Sequence, residues 1–473
     1  MSGLSWLEYA FLAYFGLINL YYICFLILGS CKTFFRIQEV REEDTSGILS
    51  SNSLPEILFV IPMFNERETI LPCIYNLLNL SYRYKQIIVV NDGSDDDTLD
   101  IVRQALDLVE IPKYYADAIP TQPVRTVFRS RTHPEITVID KVRGRKFDAV
   151  NAAINAVPTP FFVVLDADTF VDNAGFEALV RPILTSPDTI AVGASVRILN
   201  GCTLDFNRIS TASFPREFLP AMQALEYLRA FLLRQGLDTI NAVFIIAGVF
   251  SIFPRDLILK AGGFCSSAGE DVEIILRLHR MMHEANIPYK IAYLPDPIAW
   301  TVAPSTVAKL RKQRMRWHLG LLESIWYHKR VFYNPRYGAF GLLGYPFWVF
   351  GEALEPIAEV SAWTYVAVTA ALGILNMPFL VLLLALSFGF TALYTFFCLF
   401  LEELSFRKYP SLRSLAMLVL CNFVENVGYR QLTLWWRLCS FVQFFRNFRQ
   451  IEADRRTVNA LVRNGVANLR NPK

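Results

Sequence analysis

The stretch that decides the fold is Phe161-Phe162-Val163-Val164-Leu165-Asp166-Ala167-Asp168. Its apolar part is uniformly β-prone, which is typical of a strand buried on both faces of a parallel sheet. Open α/β sheets place their ligand sites at the carboxyl ends of such strands. Two carboxylates one residue apart suit a hard divalent cation, which prefers oxygen ligands and can share them with a diphosphate. Taken alone, Asp166-Ala167-Asp168 is either such a metal site or a solvated turn at the end of a strand.

The composition predicts a protein that is partly embedded in a membrane. Of its 473 residues 53% are hydrophobic, a high fraction for a soluble protein. The apolar residues concentrate near the N-terminus and beyond about residue 338. A net charge of +3 is too small to indicate a nucleic-acid partner. The 8 cysteines form no CxxC pair and the 5 histidines no HExxH motif, so no zinc or redox motif is present.

The N-terminal segment 1–30 is predicted to be a transmembrane helix. Leu7 to Leu28 is nearly free of charge and is about long enough to span a bilayer. Lys32 and Arg36 follow it, so the positive-inside rule places the N-terminus outside and the next domain in the cytoplasm. Residues 31–53 are predicted to be a linker, because their last part is polar and rich in serine.

Residues 54–333 alternate short apolar runs with helical patterns, which predicts an α/β domain with a doubly wound sheet. The predicted strands are 56–62, 86–90, 161–165 and 189–198. The predicted helices are 66–80, a helix from about 96, 145–156, 223–235 and 271–285.

Beyond residue 333 the pattern returns to apolar. Residues 334–359 are predicted to form interfacial helices, and 360–445 a membrane region with spans at 360–375 and 378–401. The segment 415–445 carries Glu425, Arg430, Gln431 and Arg437. Because charge inside a membrane is costly, these groups are expected to face protein, water or lipid head groups on a re-entrant or interfacial path. Residues 446–473 are predicted to be a basic cytoplasmic tail.

Two further polar segments follow the predicted strands. Pro62-Met63-Phe64-Asn65-Glu66 offers an aromatic side chain and polar groups for a nucleobase, although a helix start capped by Asn65 is the simpler interpretation. Asp92 lies in the turn after the second strand, where it brings a carboxylate to the same sheet edge as Asp166 and Asp168. A tight turn explains that segment equally well.

Three segments outside the strand ends also carry candidate chemistry. Gly144-Arg145-Lys146 opens a helix and suits a phosphate, with a solvated basic loop as the alternative. Glu270-Asp271 opens another helix, where the acids either complement the helix dipole or supply a general base. The segment Gln313-Arg314-Met315-Arg316-Trp317 has two interpretations. It is either an interfacial helix, or a site in which Arg316 neutralises a diphosphate and Trp317 stacks on a sugar.

Taken together and in this order, these elements resemble the membrane-bound family 2 glycosyltransferases, the group of hyaluronan, chitin, cellulose and poly-N-acetylglucosamine synthases. The resemblance implies a GT-A-type, doubly wound mixed sheet flanked by transmembrane helices. The donor-binding residues it implies are Pro62, Phe64, Glu66, Asp92, Lys146 and Asp166, and the metal ligands for Mg²⁺ or Mn²⁺ are Asp166 and Asp168. It implies Asp271 as the general base, with Gln313, Arg316 and Trp317 closing over the reactants. Gln223, Glu226, Gly248 and Glu270 resemble acceptor-side segments.

The implied reaction is inverting transfer from a nucleotide-sugar, expected to be a UDP-sugar, to a growing β-linked polysaccharide. The implied location is the cell membrane, multi-pass, with the catalytic domain in the cytoplasm. Expected partners are the donor, a glycan or lipid-linked acceptor, membrane lipids, and accessory export or regulatory proteins. A single-sugar transferase with a lipid-linked acceptor stays open, because a late tryptophan of the family is not evident near Gln450. A non-catalytic scaffold that binds nucleotide-sugars is the remaining alternative.

Overall fold

The computed structural model describes residues 4–42, 54–113, 118–246, 248–405 and 412–470. The chain divides into two compact units. The helical unit comprises Met1–Glu39, Ser213–Phe244 and Pro304–Ile451. The sheet unit comprises Val40–Ala212, Ile245–Ala303 and Glu452–Lys473.

Within the described residues of the sheet unit, one 10-stranded mixed sheet forms the centre, in the order β3-β4-β5-β2-β1-β6-β11-β8-β12-β7. A separate hairpin is formed by β9 and β10. The strands are β1 Ile57–Met63, β2 Lys85–Asn91, β3 Leu108–Ile111, β4 Val124–Ser130, β5 Ile136–Lys141, β6 Phe161–Leu165, β7 Thr169–Val171, β8 Thr189–Ile198, β9 Thr203–Asp205, β10 Arg208–Thr211, β11 Phe250–Pro254 and β12 Lys290–Thr301.

The sheet has a parallel centre, formed by β5, β2, β1 and β6. Strands β1 and β6 of this centre consist of apolar residues that are almost all buried, as expected for strands covered on both faces. Strand β6 has the predicted bounds, and β11 pairs with it antiparallel. The carboxyl ends of β1, β2 and β6 therefore meet at one edge of the sheet, as the sequence predicts.

Helices cover the sheet. The predicted helices agree with observed ones to within a few residues, whereas Asn173–Thr185 and Arg255–Lys260 were not predicted. In the sheet unit the helices are Ile70–Leu78, Thr98–Ala105, Lys146–Ala156, Asn173–Thr185, Arg255–Lys260 and Glu270–Ala285. The predicted helix at 223–235 lies within Phe218–Thr239 of the helical unit.

The segment 446–473, predicted to be a basic cytoplasmic tail, forms the helix Phe448–Arg470. Val458 and Val462 are buried on one face of this helix, and the Asn459 Oδ1 atom accepts a hydrogen bond from Arg280 Nη1 at 3.0 Å. An apolar side chain every three or four residues gives the helix a face that packs on the sheet unit. The segment is therefore part of the folded structure.

In the part of the helical unit that the structure describes, two helical stretches are long and apolar enough to cross a membrane, Trp6–Phe35 and Met377–Ser405. The first belongs to the helix Trp6–Glu42. The predicted linker 31–53 is therefore helical at its start, and residues 43–53 lie outside the described residues. The other helices of the unit are Val307–Tyr327, Tyr345–Phe347, Glu355–Ala371, Met377–Leu384, Phe390–Ser405, Leu412–Val424 and Tyr429–Arg446, with π-helical turns at Phe340–Gly344, Trp348–Ala353 and Ala385–Gly389.

The charged groups of segment 415–445 face other parts of the protein. This segment is two helices, separated by a turn in which Gly428 has φ of 90°. Each charge pairs with a residue of opposite sign in the same unit, which offsets the cost of withdrawing it from water. The pairs are Arg430 with Glu359 (2.8 Å), Arg437 with Glu355 (2.5 Å) and Arg229 with Glu425.

Candidate active site

Predicted donor-site residues lie at the carboxyl ends of the parallel strands. Pro62 is near the end of β1 and Phe64 follows that strand directly, while Asp92 follows β2 and Asp166 follows β6. Because these strands are adjacent and parallel, their ends form one contiguous edge. The parallel sheet thus brings these residues together as predicted.

Lys146 connects two of the predicted acidic sites. Its Nζ atom lies 2.5 Å from Asp166 Oδ1 and 3.9 Å from Glu270 Oε1, and it donates to the Gly248 carbonyl at 3.0 Å. Burial alone would lower the pKa of this ammonium, but the Asp166 and Glu270 carboxylates hold the pKa above its ordinary value. The lysine is therefore a fixed positive charge at the edge of the sheet.

Asp168 is the second carboxylate after β6. Its Oδ1 atom accepts a hydrogen bond from Thr301 Oγ1 at 3.2 Å, so β12 helps to orient it. Burial, followed by the repulsion of the Asp166 and Glu66 carboxylates, raises the pKa of Asp168 to about 7. A cation beside this pair would relieve that repulsion.

Asp166 and Asp168 fit a divalent cation in both chemistry and electrostatics. Among the described residues, no group of three or more His, Cys, Asp or Glu side chains converges to form a complete metal site. Mg²⁺ is commonly held by one or two carboxylates together with substrate phosphates, so a pair of aspartates suffices.

Asp271 lies in the first turn of the helix Glu270–Ala285, against the backbone of Gly248. A Cβ atom at position 248 would come 2.8 Å from Asp271 Cγ, and closer still to Oδ2, so only glycine fits here without displacing the carboxylate. Lys146, Gly248, Glu270 and Asp271 line a small cavity whose other walls are mainly apolar. The role of Asp271 as the general base stays a prediction.

Asp92 is almost fully buried, with 3% of its surface exposed. Its carboxylate accepts hydrogen bonds from the backbone N–H groups of Gly144 (2.8 Å) and Arg145 (2.7 Å) and from Lys141 Nζ (3.0 Å). The observed contacts of Asp92 thus fix the loop that precedes Lys146. Its predicted contact with the nucleoside stays a prediction.

Phe64 and Glu66 lie beyond the end of β1 and are half-buried. The Arg143 guanidinium covers the Phe64 ring, 3.9 Å from the ring centroid. Glu66 accepts a hydrogen bond from Thr69 Oγ1 at 2.6 Å, in the turn that precedes the helix Ile70–Leu78.

The remaining predicted residues lie in the helical unit. Gln223 is buried and donates from Nε2 to the carbonyl groups of Leu219 (3.0 Å) and Pro304 (2.8 Å). Glu226 forms an ion pair with Arg314 and accepts a hydrogen bond from the Tyr429 hydroxyl at 3.0 Å. Both side chains therefore make internal contacts, which the acceptor-side expectation did not include.

Gln313, Arg316 and Trp317 lie on the helix Val307–Tyr327. Arg316 is exposed, and Trp317 keeps 39% of its surface exposed, with the Arg314 guanidinium 4.7 Å from its ring centroid. The Gln313 Oε1 atom is buried and makes no hydrogen bond among the described residues.

Sequence reasoning missed Lys141, Arg143 and Thr301. Lys141 and Thr301 are polar residues at the ends of β5 and β12, and their positions at the ends of strands were the available signal. Neither β5 nor β12 was predicted as a strand, so that signal could not be used for Lys141 or Thr301.

Two family descriptions match the chain. Residues 58–259 match Glycosyl transferase family 2, and residues 161–423, more than half of the chain, match Glycosyl transferase family group 2. The chain belongs to the family 2 glycosyltransferases. The GT-A-type fold that the sequence predicts is confirmed by this match together with the observed mixed sheet.

Curated relatives of this family 2 glycosyltransferase include poly-β-1,6-N-acetyl-D-glucosamine synthases. The protein of Staphylococcus aureus (strain COL) is 26% identical over 298 residues, which are 62% of this chain and 61% of the relative. The protein of Staphylococcus epidermidis is 25% identical over 310 residues, 63% of this chain and 64% of the relative. The chain thus spans less than two thirds of the length of these relatives.

Among solved structures, a mannosyltransferase from Pyrobaculum calidifontis in complex with GDP-Man and Mn²⁺ aligns with 87% of this chain and 99% of its own. The identity is 18% and the TM-score is 0.49. A likeness of this degree carries no further argument.

Proposed function

We propose that this family 2 glycosyltransferase transfers a sugar from a nucleotide-sugar, expected to be a UDP-sugar, to a growing β-linked polysaccharide with inversion at the anomeric carbon. The observation that carries the proposal is the cavity in which the Asp271 carboxylate lies against Gly248, with Lys146 and Glu270 as neighbours. A base and a fixed cation beside one cavity are the groups that displacement of a diphosphate requires.

The donor would bind along the carboxyl edge of the sheet. Pro62, Phe64 and Glu66 are proposed to hold the nucleoside end, with Asp92 shaping that end through the loop it fixes. Lys146 would contact the diphosphate, since its ammonium is already charged and held at this edge. Asp166 and Asp168 would hold Mg²⁺ or Mn²⁺, which when bound supplies positive charge for the leaving diphosphate.

Asp271 is proposed to accept the proton of the acceptor hydroxyl. The hydroxyl oxygen then bonds to the anomeric carbon while the bond from that carbon to the diphosphate breaks, so one displacement inverts the configuration. A single base is sufficient for this step, whereas many retaining schemes need a second carboxylate as nucleophile. Gly248 permits the backbone to approach Asp271 closely and so fixes where the base lies.

Gln313, Arg316 and Trp317 are proposed to act on the bound reactants from the helix Val307–Tyr327. Arg316 and Trp317 have exposed side chains, which leaves a guanidinium for phosphate and an aromatic face for a sugar. The ion pair of Glu226 with Arg314 supports the proposal that Glu226 acts by holding this helix.

The apolar helices Trp6–Phe35 and Met377–Ser405 support a membrane location for this reaction. We propose that the sheet unit lies on the cytoplasmic side, where nucleotide-sugars are available. Membrane lipids and accessory export or regulatory proteins are the proposed partners there.

A donor screen tests the proposal. The purified full-length protein is incubated with radiolabelled nucleotide-sugars, with Mg²⁺ or Mn²⁺ present or chelated, and the product is sized and its linkages determined. We expect metal-dependent formation of a long β-linked glycan from one UDP-sugar. Products that carry one sugar on a lipid would refute the polymerase, and a protein that consumes no nucleotide-sugar would refute the transferase.

A further inference from the structure

The loop Val142–Arg145 is held rigidly by buried charges. Lys141 is fully buried, and its ammonium pairs with Asp92 (3.0 Å) and with Asp148. The Asp92 carboxylate in turn accepts the backbone N–H groups of Gly144 and Arg145. Because every one of these groups is paired and withdrawn from water, moving the loop would leave buried charges unsatisfied.

Sterics restrict the same loop. A Cβ atom at Gly144 would lie 2.8 Å from Asp148 Cβ, and Arg145 has the left-handed φ of 75°. On the other side Gly93, with φ of 69°, leaves a Cβ position only 3.1 Å from the Arg143 backbone nitrogen. The backbone of Arg143 is therefore fixed, and only its side chain is free to change position.

The Arg143 side chain is exposed, and its guanidinium covers the Phe64 ring at 3.9 Å from the centroid. Within the described residues Arg143 forms no ion pair with a carboxylate. At this separation no planar base fits between guanidinium and ring. A base that stacks on this face of Phe64 must therefore take the place of the guanidinium.

Replacement is favourable because an exposed cation–π contact is weak, whereas stacking of a nucleobase on an aromatic ring is at least as strong. The displaced guanidinium remains attached to a loop that cannot move away. Lys146, the proposed diphosphate ligand, is three residues further along the chain. A planar guanidinium is well suited to bind phosphate oxygens through two parallel hydrogen bonds.

We propose that Arg143 is a donor-binding residue that covers Phe64 until the nucleobase takes its place, and then binds the diphosphate of the same nucleotide. This inference rests on the proposed function, since it takes a nucleoside diphosphate as the ligand of this edge. The inference adds Arg143 to the proposed donor site, as a residue that exchanges its contact with Phe64 for one with the diphosphate.

Equilibrium binding of uridine, and of UDP with Mg²⁺, to the full-length protein in detergent tests the proposal. The variant is Arg143→Ala, and the control is Arg131→Ala, which removes another exposed arginine of the sheet unit. For Arg143→Ala we expect uridine to bind about two- to five-fold more tightly, because its competitor on Phe64 is gone. UDP should bind about ten-fold more weakly, because a charge-assisted hydrogen bond is lost. The control should change neither affinity.

If Arg143→Ala leaves both affinities unchanged, or weakens both by the same factor, the proposed exchange is wrong. If both become tighter, Arg143 only covers the ring and the diphosphate contact is wrong. If the wild-type protein itself does not bind UDP, the proposed function fails and this inference fails with it, which separates that result from the others.

Discussion

Replacing Gly248 by alanine places a methyl carbon where the Asp271 carboxylate now lies. The added Cβ would be 2.8 Å from Asp271 Cγ and 3.0 Å from Asp271 Cβ. Carbon atoms that are not bonded pack at roughly 3.5–4.0 Å, so the carboxylate must move by about 1 Å. The backbone at position 248 cannot easily move instead, because the Gly248 carbonyl accepts a hydrogen bond from Lys146 Nζ at 3.0 Å.

A displacement of about 1 Å at a reacting group can lower a rate about 100-fold. We therefore expect Gly248→Ala to reduce kcat by about this factor, equivalent to about 2.7 kcal/mol in the activation free energy. The affinity for UDP should change little, because the substitution acts on the base. The assay is initial-rate glycosyl transfer with purified full-length protein, together with equilibrium binding of UDP.

Gly16→Ala is the matched control, since a Cβ at Gly16 meets nothing within 4 Å. We expect its kcat to equal that of the wild-type protein. A Gly248→Ala variant that keeps wild-type kcat would show that the position of Asp271 does not limit the reaction. A variant that loses UDP affinity in proportion to kcat would place Gly248 in donor binding instead.

Three further substitutions test other parts of the account. Asp168→Asn should raise the Mg²⁺ concentration needed for turnover at least about 100-fold, and an unchanged metal requirement would remove Asp168 from the metal site. Asp92→Ala should lower the free energy of unfolding, measured by denaturant titration, by about 3–5 kcal/mol, because the buried Lys141 ammonium loses one of its two carboxylate partners. An unfolding curve like that of the wild-type protein would contradict this expectation. Val462→Asp should lower the melting temperature, because it buries a carboxylate at a position with 0% exposure. A melting temperature equal to that of Val462→Ala would refute that packing.

The parallel centre of the sheet could be predicted because local and long-range preferences agree there. Strand β6 is an uninterrupted apolar run and has the predicted bounds. Strand β4 was not predicted, because Arg125 and Arg129 interrupt its short apolar part and its burial does not follow a period of two. Its partners β3 and β5 are close to it in sequence, but neither of them was predicted as a strand.

The positions of candidate-site residues could be predicted where a carboxylate coincides with the end of a strand, as at Asp166, or with the start of a helix, as at Asp271. The partners of Asp92 could not. They depend on Arg145 adopting a left-handed conformation and on Gly144 passing close to Asp148, and no sequence pattern indicates either. The same conformation places Arg143 on Phe64.

For the charged residues of segment 415–445, the sequence predicts that they have polar surroundings but not which residues they contact. The cost of charge in an apolar region predicts that Arg430 and Arg437 find partners. Which partners they find follows from the packing of two helices, in which Glu359 and Glu355 lie opposite them.

The most direct test of the central claim is turnover of Asp271→Asn compared with Asp256→Asn. Asp256 is an exposed acid at the start of another helix of the sheet unit, so both variants remove one charge by the same isosteric change. With UDP-sugar and Mg²⁺ present, we predict that Asp271→Asn binds UDP as the wild-type protein does but transfers sugar at least about 100-fold more slowly. Asp256→Asn should transfer at the wild-type rate. Equal transfer by Asp271→Asn and the wild-type protein would contradict the assignment of the base, and with it the proposed reaction.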